Sequence, residues 1–299
     1  MENIEFVILC GGKSVESYPY SKGVVHKCLL PFGSVRIIDY WIKEIEQIGG
    51  KYITLVCKSN EIAESLKSAL IKDEEIYEVL KVKNQALADN YEKTFLNPMV
   101  SIRYAVQKNE RGTAHAVGLA HQMSKKRHKV IINPDDIFWS KKEGKSHIKN
   151  MIAHFLKNPK QILMSGVRVK DISNVSVLMH GNLIEGIKHS SSDVGCMSPM
   201  IFPAKFCDFM LDLANRSDNG EVLLEMSDNG KLYYINVINS FVGKVYEPHH
   251  INVFLKDEDI EYIDLSTMEK YQKALIKSLV DYSVYGKENF EYIKELVNK

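Results

Sequence analysis

The sequence predicts an α/β fold built on a parallel sheet, and three observations carry that expectation. A short apolar run at residues 6–9, Phe6-Val7-Ile8-Leu9, is bounded at once by Gly11-Gly12, which reads as a buried strand running into a turn. It is followed by apolar residues at helical spacing over residues 37–48 and by a second apolar run over residues 52–57, the order of a βαβ unit. A third buried run at residues 129–132 ends in Asn133-Pro134-Asp135-Asp136, and ligands gather where parallel strands end.

The first strand opens onto a loop whose residue types suit an anion. Gly11 and Gly12 have no side chains, so their backbone N–H groups can approach a phosphate closely, and Lys27 follows at the end of the same loop. In the helix over residues 37–48, Ile37, Ile38, Trp41, Ile42, Ile45 and Ile48 share one face, and Gly49-Gly50 stops it. Residues 60–96, rich in Glu, Lys, Ala and Leu, read as helical, and residues 101–106 as a strand. Gln107 to Val117, containing Gly112-Thr113-Ala114-His115-Ala116, reads as a loop entering a helix. The later chain predicts strands at residues 160–169, 175–179, 184–187 and 233–237, a helix over 203–214 and a helix starting at Asn219-Gly220-Glu221. A strand ends at Asp264 and passes into a helix capped by Ser266 or Thr267, and residues 273–299 read as a helical tail.

Composition narrows the classes. With 299 residues the chain can bury a substantial core, as one large domain or two small ones. The absence of repeats or a Pro/Gly linker favours one domain over residues 1–299. A formal net charge of +1 gives no reason to expect nucleic acid or a membrane surface as partner. The five cysteines, Cys10, Cys28, Cys57, Cys196 and Cys207, show no CxxC spacing, so neither a zinc site nor a disulfide framework is expected. Neither a signal peptide nor a run of membrane-spanning length is present, so the expectation is a cytoplasmic protein.

Singly, each candidate has a plain reading: Lys27 snorkelling at a loop end, Gln107 capping a turn, Asp136 capping the next turn, Asp264 a solvated strand end. His115 reads as a packing or helix-surface residue, and His249-His250 lack a third metal ligand in the sequence. Taken together, the residues resemble the nucleotide-sugar pyrophosphorylases, most closely the bacterial UTP–glucose-1-phosphate uridylyltransferases. Gly11, Gly12, Pro19, Lys27 and Leu29-Leu30-Pro31 stand in register with the family's opening motif. Gln107 and Gly112-Thr113-Ala114-His115-Ala116 resemble its base-recognition segment, Asp135 its strand-end Asp, and Tyr262 to Tyr271 the segment bringing a second metal-binding Asp, Asp264. The helical insertion between Ser59 and Gln107 is similar in length to that of the uridylyl branch.

The resemblance implies a Rossmann-like mixed, mainly parallel sheet flanked by helices, the nucleotide-diphospho-sugar transferase fold. It divides the chain into a nucleotide-binding part at about residues 1–140, a sugar-binding and second-metal part at about 141–272, and the tail. It implies transfer of a nucleotidyl group from UTP to glucose-1-phosphate with release of pyrophosphate. Lys27 and Asp135 would be catalytic, and Asp135 and Asp264 would hold Mg²⁺. Cys10, Gly11, Gly12, Lys13, Gln107, Gly112 and Asp136 would surround the nucleotide, and Lys188 would meet the sugar phosphate. The partners implied are the two substrates and, in keeping with the family, further copies of the chain. Ser14-Val15-Glu16 replace the family's Gly-Thr-Arg, which leaves Lys13 or Lys22 to supply the cation; His26 replaces a proline, Ile187-Lys188-His189-Ser190 a Glu-Lys-Pro segment, and Ser266 a glycine. Two alternatives stay open: a cytidylyltransferase acting on another phosphate acceptor, and a catalytically silent paralogue that binds nucleotide or a partner subunit.

Overall fold

The computed structural model describes residues 1–12, 26–33, 35–93, 95, 99–108, 111–140, 144–168, 175–180, 183–189, 194–221, 223, 227–228, 230–241 and 251–280. Lys13, Glu16, Pro19, Lys22, His249, His250 and the tail beyond residue 280 lie outside this set. In order, the chain forms β1 (Ile4–Cys10), a 3₁₀ turn (Lys27–Leu29), β2 (Pro31–Phe32), β3 (Val35–Arg36), α1 (Ile37–Gln47), β4 (Tyr52–Cys57), α2 (Asn60–Leu70), α3 (Glu74–Lys83), α4 (Gln85–Lys93) and β5 (Ser101–Val106). Next come α5 (Thr113–Gln122), β6 (His128–Ile132), β7 (Asp136–Ser140), α6 (His147–Phe155), β8 (Ile162–Arg168), β9 (Val175–His180), β10 (Leu183–His189) and β11 (Val194–Phe202). The described chain closes with α7 (Ala204–Asp218), β12 (Ser227–Asp228), β13 (Lys231–Leu232), α8 (Tyr234–Phe241), β14 (Ile251–Leu255), β15 (Ile260–Asp264) and α9 (Met268–Val280).

The central sheet runs β14-β8-β11-β6-β1-β4-β5, and the β9-β10 hairpin joins it beside the start of β11. Every strand of that run is parallel except β11, which is antiparallel to both of its neighbours, β8 and β6. The sheet is therefore mixed and mainly parallel, as expected. Its central strands β1, β4 and β6 are buried on both faces. Phe6 and Ile8 of β1 face a core with α1, α6 and α9, whereas Val7 faces a second core with α5, α7 and α8. This two-sided burial explains why β1, β4 and β6 read as unbroken apolar runs.

Several local expectations need correction. The stretch 60–96, read as helical, divides into three helices, because Asp73 accepts the Ile76 N–H and Asn84 the Ala86 N–H at fresh helix starts. No helix starts at Glu221; Gly220, with φ of +85°, ends α7, and the Glu221 N–H closes back on the Arg216 carbonyl. The expected strand at 233–237 is the helix α8. Its β-branched composition favours a strand, but Tyr234, Val237 and Ile238 are buried together at helical spacing, and the Tyr234 N–H donates to Thr113 Oγ1 at 3.1 Å. Eight elements, β2, β3, β7, α6, β11, β12, β13 and β14, have no counterpart in the sequence reading.

Candidate functional site

β1, β4 and β6 run parallel, so Cys10, Cys57 and Ile132 end on one edge of the sheet. At that edge opens a cleft of about 510 Å³. Gly11, Gly12, Lys27, Gln107, Gly112 and Asp135 all line it, although they come from four separate stretches of sequence.

Lys27 is carried by the 3₁₀ turn that follows His26. The buried His26 side chain caps this turn, its Nδ1 accepting the Cys28 N–H at 3.3 Å. Lys27 Nζ lies 2.8 Å from Asp135 Oδ2 and 3.4 Å from the Ser266 carbonyl. The lysine and its partner carboxylate are largely shielded, with side-chain exposures of 11% and 27%. Asp135 follows β6 directly, and its carbonyl accepts the Leu265 N–H at 2.8 Å. That bond, with the β7–β15 ladder that sets Asp264 opposite Asp136, brings the end of β15 to the corner occupied by Asp135.

Asp264 is itself countercharged. Its Oδ2 receives Lys270 Nζ at 2.5 Å, and its Oδ1 accepts the Ser266 N–H at 2.7 Å. Burial works against this charge, but the Lys270 ammonium and the Ser266 N–H hold the Asp264 carboxyl below its ordinary range. Two hard carboxylates at one corner suit a small divalent cation that takes its remaining oxygens from water and phosphate. The described residues contain no cluster of three metal-ligating side chains, and the donor set fits a cation held jointly by protein and ligand. Each carboxylate now faces an ammonium, Lys27 or Lys270, which shows that the corner accepts positive charge.

Asp136 points elsewhere. Tyr262 Oη donates to its Oδ1 at 2.7 Å, while its Oδ2 takes the Ser198 N–H at 3.2 Å and Asn133 Nδ2 at 3.3 Å. Burial, then the neighbouring Asp135 charge, pushes its carboxyl up to about 7. Cys10 lies beneath the cleft, fully buried, with its sulfur 3.5 Å from that of Cys28. Neither residue lines the opening. Lys188 stands in β10, its backbone paired opposite Ser176.

In the same cleft, Gln107 follows β5, and its N–H bonds the Cys57 carbonyl at 2.8 Å. Its side-chain Nε2 lies 3.0 Å from the Gly112 carbonyl and 3.0 Å from His115 Nδ1. His115 is not a surface residue. It is 3% exposed, and its Nε2 meets Asp218 Oδ1 at 3.1 Å. Gly112 has φ of +92°, and a Cβ there would stand 2.3 Å from the Leu232 carbonyl oxygen, so both conformation and crowding require glycine. Lys231 and Tyr233 also line the cleft, and the sequence reading missed them. The Asn229-Gly230 pair is a hairpin signal that could have placed the β12–β13 ladder. Nothing local marks these two side chains as facing a cleft.

The arrangement is one cleft lined by a lysine ammonium paired with a carboxylate and by a fixed amide, with a second carboxylate at the adjoining end of β15. The sequence profile for nucleotidyl transferases matches residues 5–176. Among solved structures, the chain is similar to a UTP-bound UGPase from Acinetobacter baumannii, at 16% identity over 99% of each chain with a TM-score of 0.78. It is also similar to a UDP-glucose pyrophosphorylase from the same organism, at 16% identity over 98% of each chain with a TM-score of 0.77. A third, UDP-glucose pyrophosphorylase complexed with UDP-glucose, matches at 15% identity over 91% of this chain and 97% of its own, with a TM-score of 0.68. At these identities the likeness is one of fold. No curated protein matches the chain by sequence.

Proposed function

The chain belongs to the nucleotidyl transferase family, and on that premise we propose that it joins UTP to glucose-1-phosphate, giving UDP-glucose and pyrophosphate, as a cytoplasmic enzyme that uses Mg²⁺. The observation that carries this reading is one cleft lined by both the Lys27–Asp135 pair, 2.8 Å apart, and Gln107. A nucleotide laid along it sets its phosphates at the charged corner and its base against the amide. The UTP-bound neighbour, which shares the fold over 99% of each chain, supports the same choice of nucleotide.

A phosphate oxygen of the sugar-1-phosphate attacks the α-phosphorus in line, the P–O bond to the leaving group breaks, and pyrophosphate departs. Positioning and neutralisation of charge supply most of the rate in such a transfer. Gly11 and Gly12 leave the triphosphate room to approach the backbone. The Lys27 ammonium turns from Asp135 to the α-phosphate, Lys13 serves the outer phosphates, and Lys188 the sugar phosphate. Gln107 and Gly112 meet the base, with Cys10 and Asp136 supporting this surface from behind. Asp135 and Asp264 would hold Mg²⁺, which when bound supplies positive charge to the two phosphates. A single domain working as a homo-oligomer completes the reading.

Purified protein given Mg²⁺, UTP and a panel of sugar-1-phosphates is expected to release pyrophosphate, with glucose-1-phosphate the best acceptor, and Asp135→Ala is expected to abolish release. No pyrophosphate with any of the four common triphosphates would sink the proposal.

A further inference from the structure

Gln107 lies in a chain of hydrogen bonds whose protons can be assigned by chemistry alone. A backbone carbonyl only accepts, so the amide atom 3.0 Å from the Gly112 oxygen is the NH₂ group. The same nitrogen lies 3.0 Å from His115 Nδ1, so both of its N–H bonds are engaged and Nδ1 is an acceptor. The ring proton therefore sits on His115 Nε2 and is donated to Asp218 Oδ1 at 3.1 Å. Asp218, the last residue of α7, is held in turn by Arg111 Nη1 at 3.3 Å. His115 is only 3% exposed, so its ring is shielded from water, while the Asp218 carboxylate is half-exposed.

With its nitrogen engaged, Gln107 offers the cleft its oxygen. Oε1 is the amide atom nearest Gly11, 3.7 Å from where a Cβ on Gly11 would stand, and both residues line the cleft. We propose that His115 and Asp218 are positioning residues that lock the Gln107 amide with its carbonyl toward the ligand, so that the site selects a pyrimidine carrying a proton on N3, uracil or thymine, over cytosine. The inference rests on the reading that Gln107 meets the base. Oε1 accepts the N3–H of uracil, whereas N3 of cytosine carries a lone pair and repels it. A site built around one hydrogen bond rejects the analogue that cannot make it.

The test is titration of UTP and of CTP, each with Mg²⁺, into the purified full chain, reading the ratio of the two affinities. The wild type is expected to bind UTP at least about tenfold more tightly than CTP, and His115→Leu and Asp218→Ala each to lower that ratio by about tenfold, roughly one hydrogen bond. His115→Asn, whose amide oxygen can accept the same N–H, is expected to retain the ratio, which a merely structural role would not predict. Asp218 has a side-chain exposure of 47%, so its variant tests the lock even if His115→Leu does not fold. An unchanged ratio in Asp218→Ala, or a wild type that prefers CTP, overturns the lock; pyrophosphate release from UTP would then leave the proposed function standing. No binding of UTP by the wild type fails the proposed function and the lock with it.

Discussion

Lys27 and Asp135 form a short, shielded ion pair, and the value of such a pair depends on what replaces it. Where a ligand phosphate takes the ammonium and a divalent cation takes the carboxylate, neither charge is left bare. On the proposed function, truncating the lysine removes the donor that would meet the charge developing during transfer. Lys27→Ala is therefore expected to lower the turnover of pyrophosphate release by about 100-fold or more, measured at saturating UTP. The residue types at this corner were legible in the sequence because glycine, lysine and aspartate each do one thing well beside phosphate. Asp136 was not legible in the same way. It follows Asp135 directly, yet entry into β7 turns its side chain toward Tyr262 and Ser198. Two adjacent carboxylates look alike in a sequence, and strand alternation sends them to opposite sides.

Among the elements, α5 and α7 matter most to the site, because one begins beside Gly112 and the other ends at Asp218. They approach closely at Gly118, where a Cβ would stand 2.8 Å from the Met210 carbonyl oxygen and 3.0 Å from Ala214 Cβ. Gly→Ala inside a helix ordinarily stabilises it. Here the clash wins, and Gly118→Ala is expected to destabilise the protein by about 1–3 kcal/mol, read from the midpoint of a denaturant melt. The same displacement moves Asp218 away from His115, so UTP binding should weaken as well. α8 teaches a related lesson. Tyr-Ile-Asn-Val-Ile reads as a strand by propensity, but packing against the core shared with α5 and α7 decides for a helix.

At the scale of the whole molecule, stability should depend on pH through a histidine remote from the cleft. His147 of α6 stacks on Phe138 at 4.1 Å, faces Phe254, and donates Nε2–H to Ser165 Oγ at 2.9 Å, tying three parts of the chain together. Burial, then the Lys256 charge, pushes its imidazole down to about 3. The folded pKa lies below the unfolded value near 6.5, so the unfolded chain binds the extra proton first. This contribution is complete above about pH 6.5 and is lost as pH falls toward 3, at up to about 1.4 kcal/mol per pH unit. Melting temperatures between pH 6.5 and 4.5 should fall more steeply for the wild type than for His147→Gln, which keeps a hydrogen-bonding side chain but does not titrate. Equal slopes would show that His147 does not carry the effect.

By itself the sequence determined the parallel heart of the sheet and the identity of the cleft's main residues. β1, β4 and β6 were legible because strands covered on both faces are near-continuous apolar runs, and Gly11, Gly12, Lys27, Gln107, Gly112 and Asp135 sit where strands end or a helix begins. Only the tertiary structure decided the rest. It placed β11 in reverse between β8 and β6, paired β15 with β7 so that Leu265 and Ser266 reach Asp135 and Lys27, and brought Asp218 to His115. Each of these contacts joins residues far apart in the chain, and pairing of that kind is set by which surfaces bury each other when the sheet closes, a quantity no local pattern records.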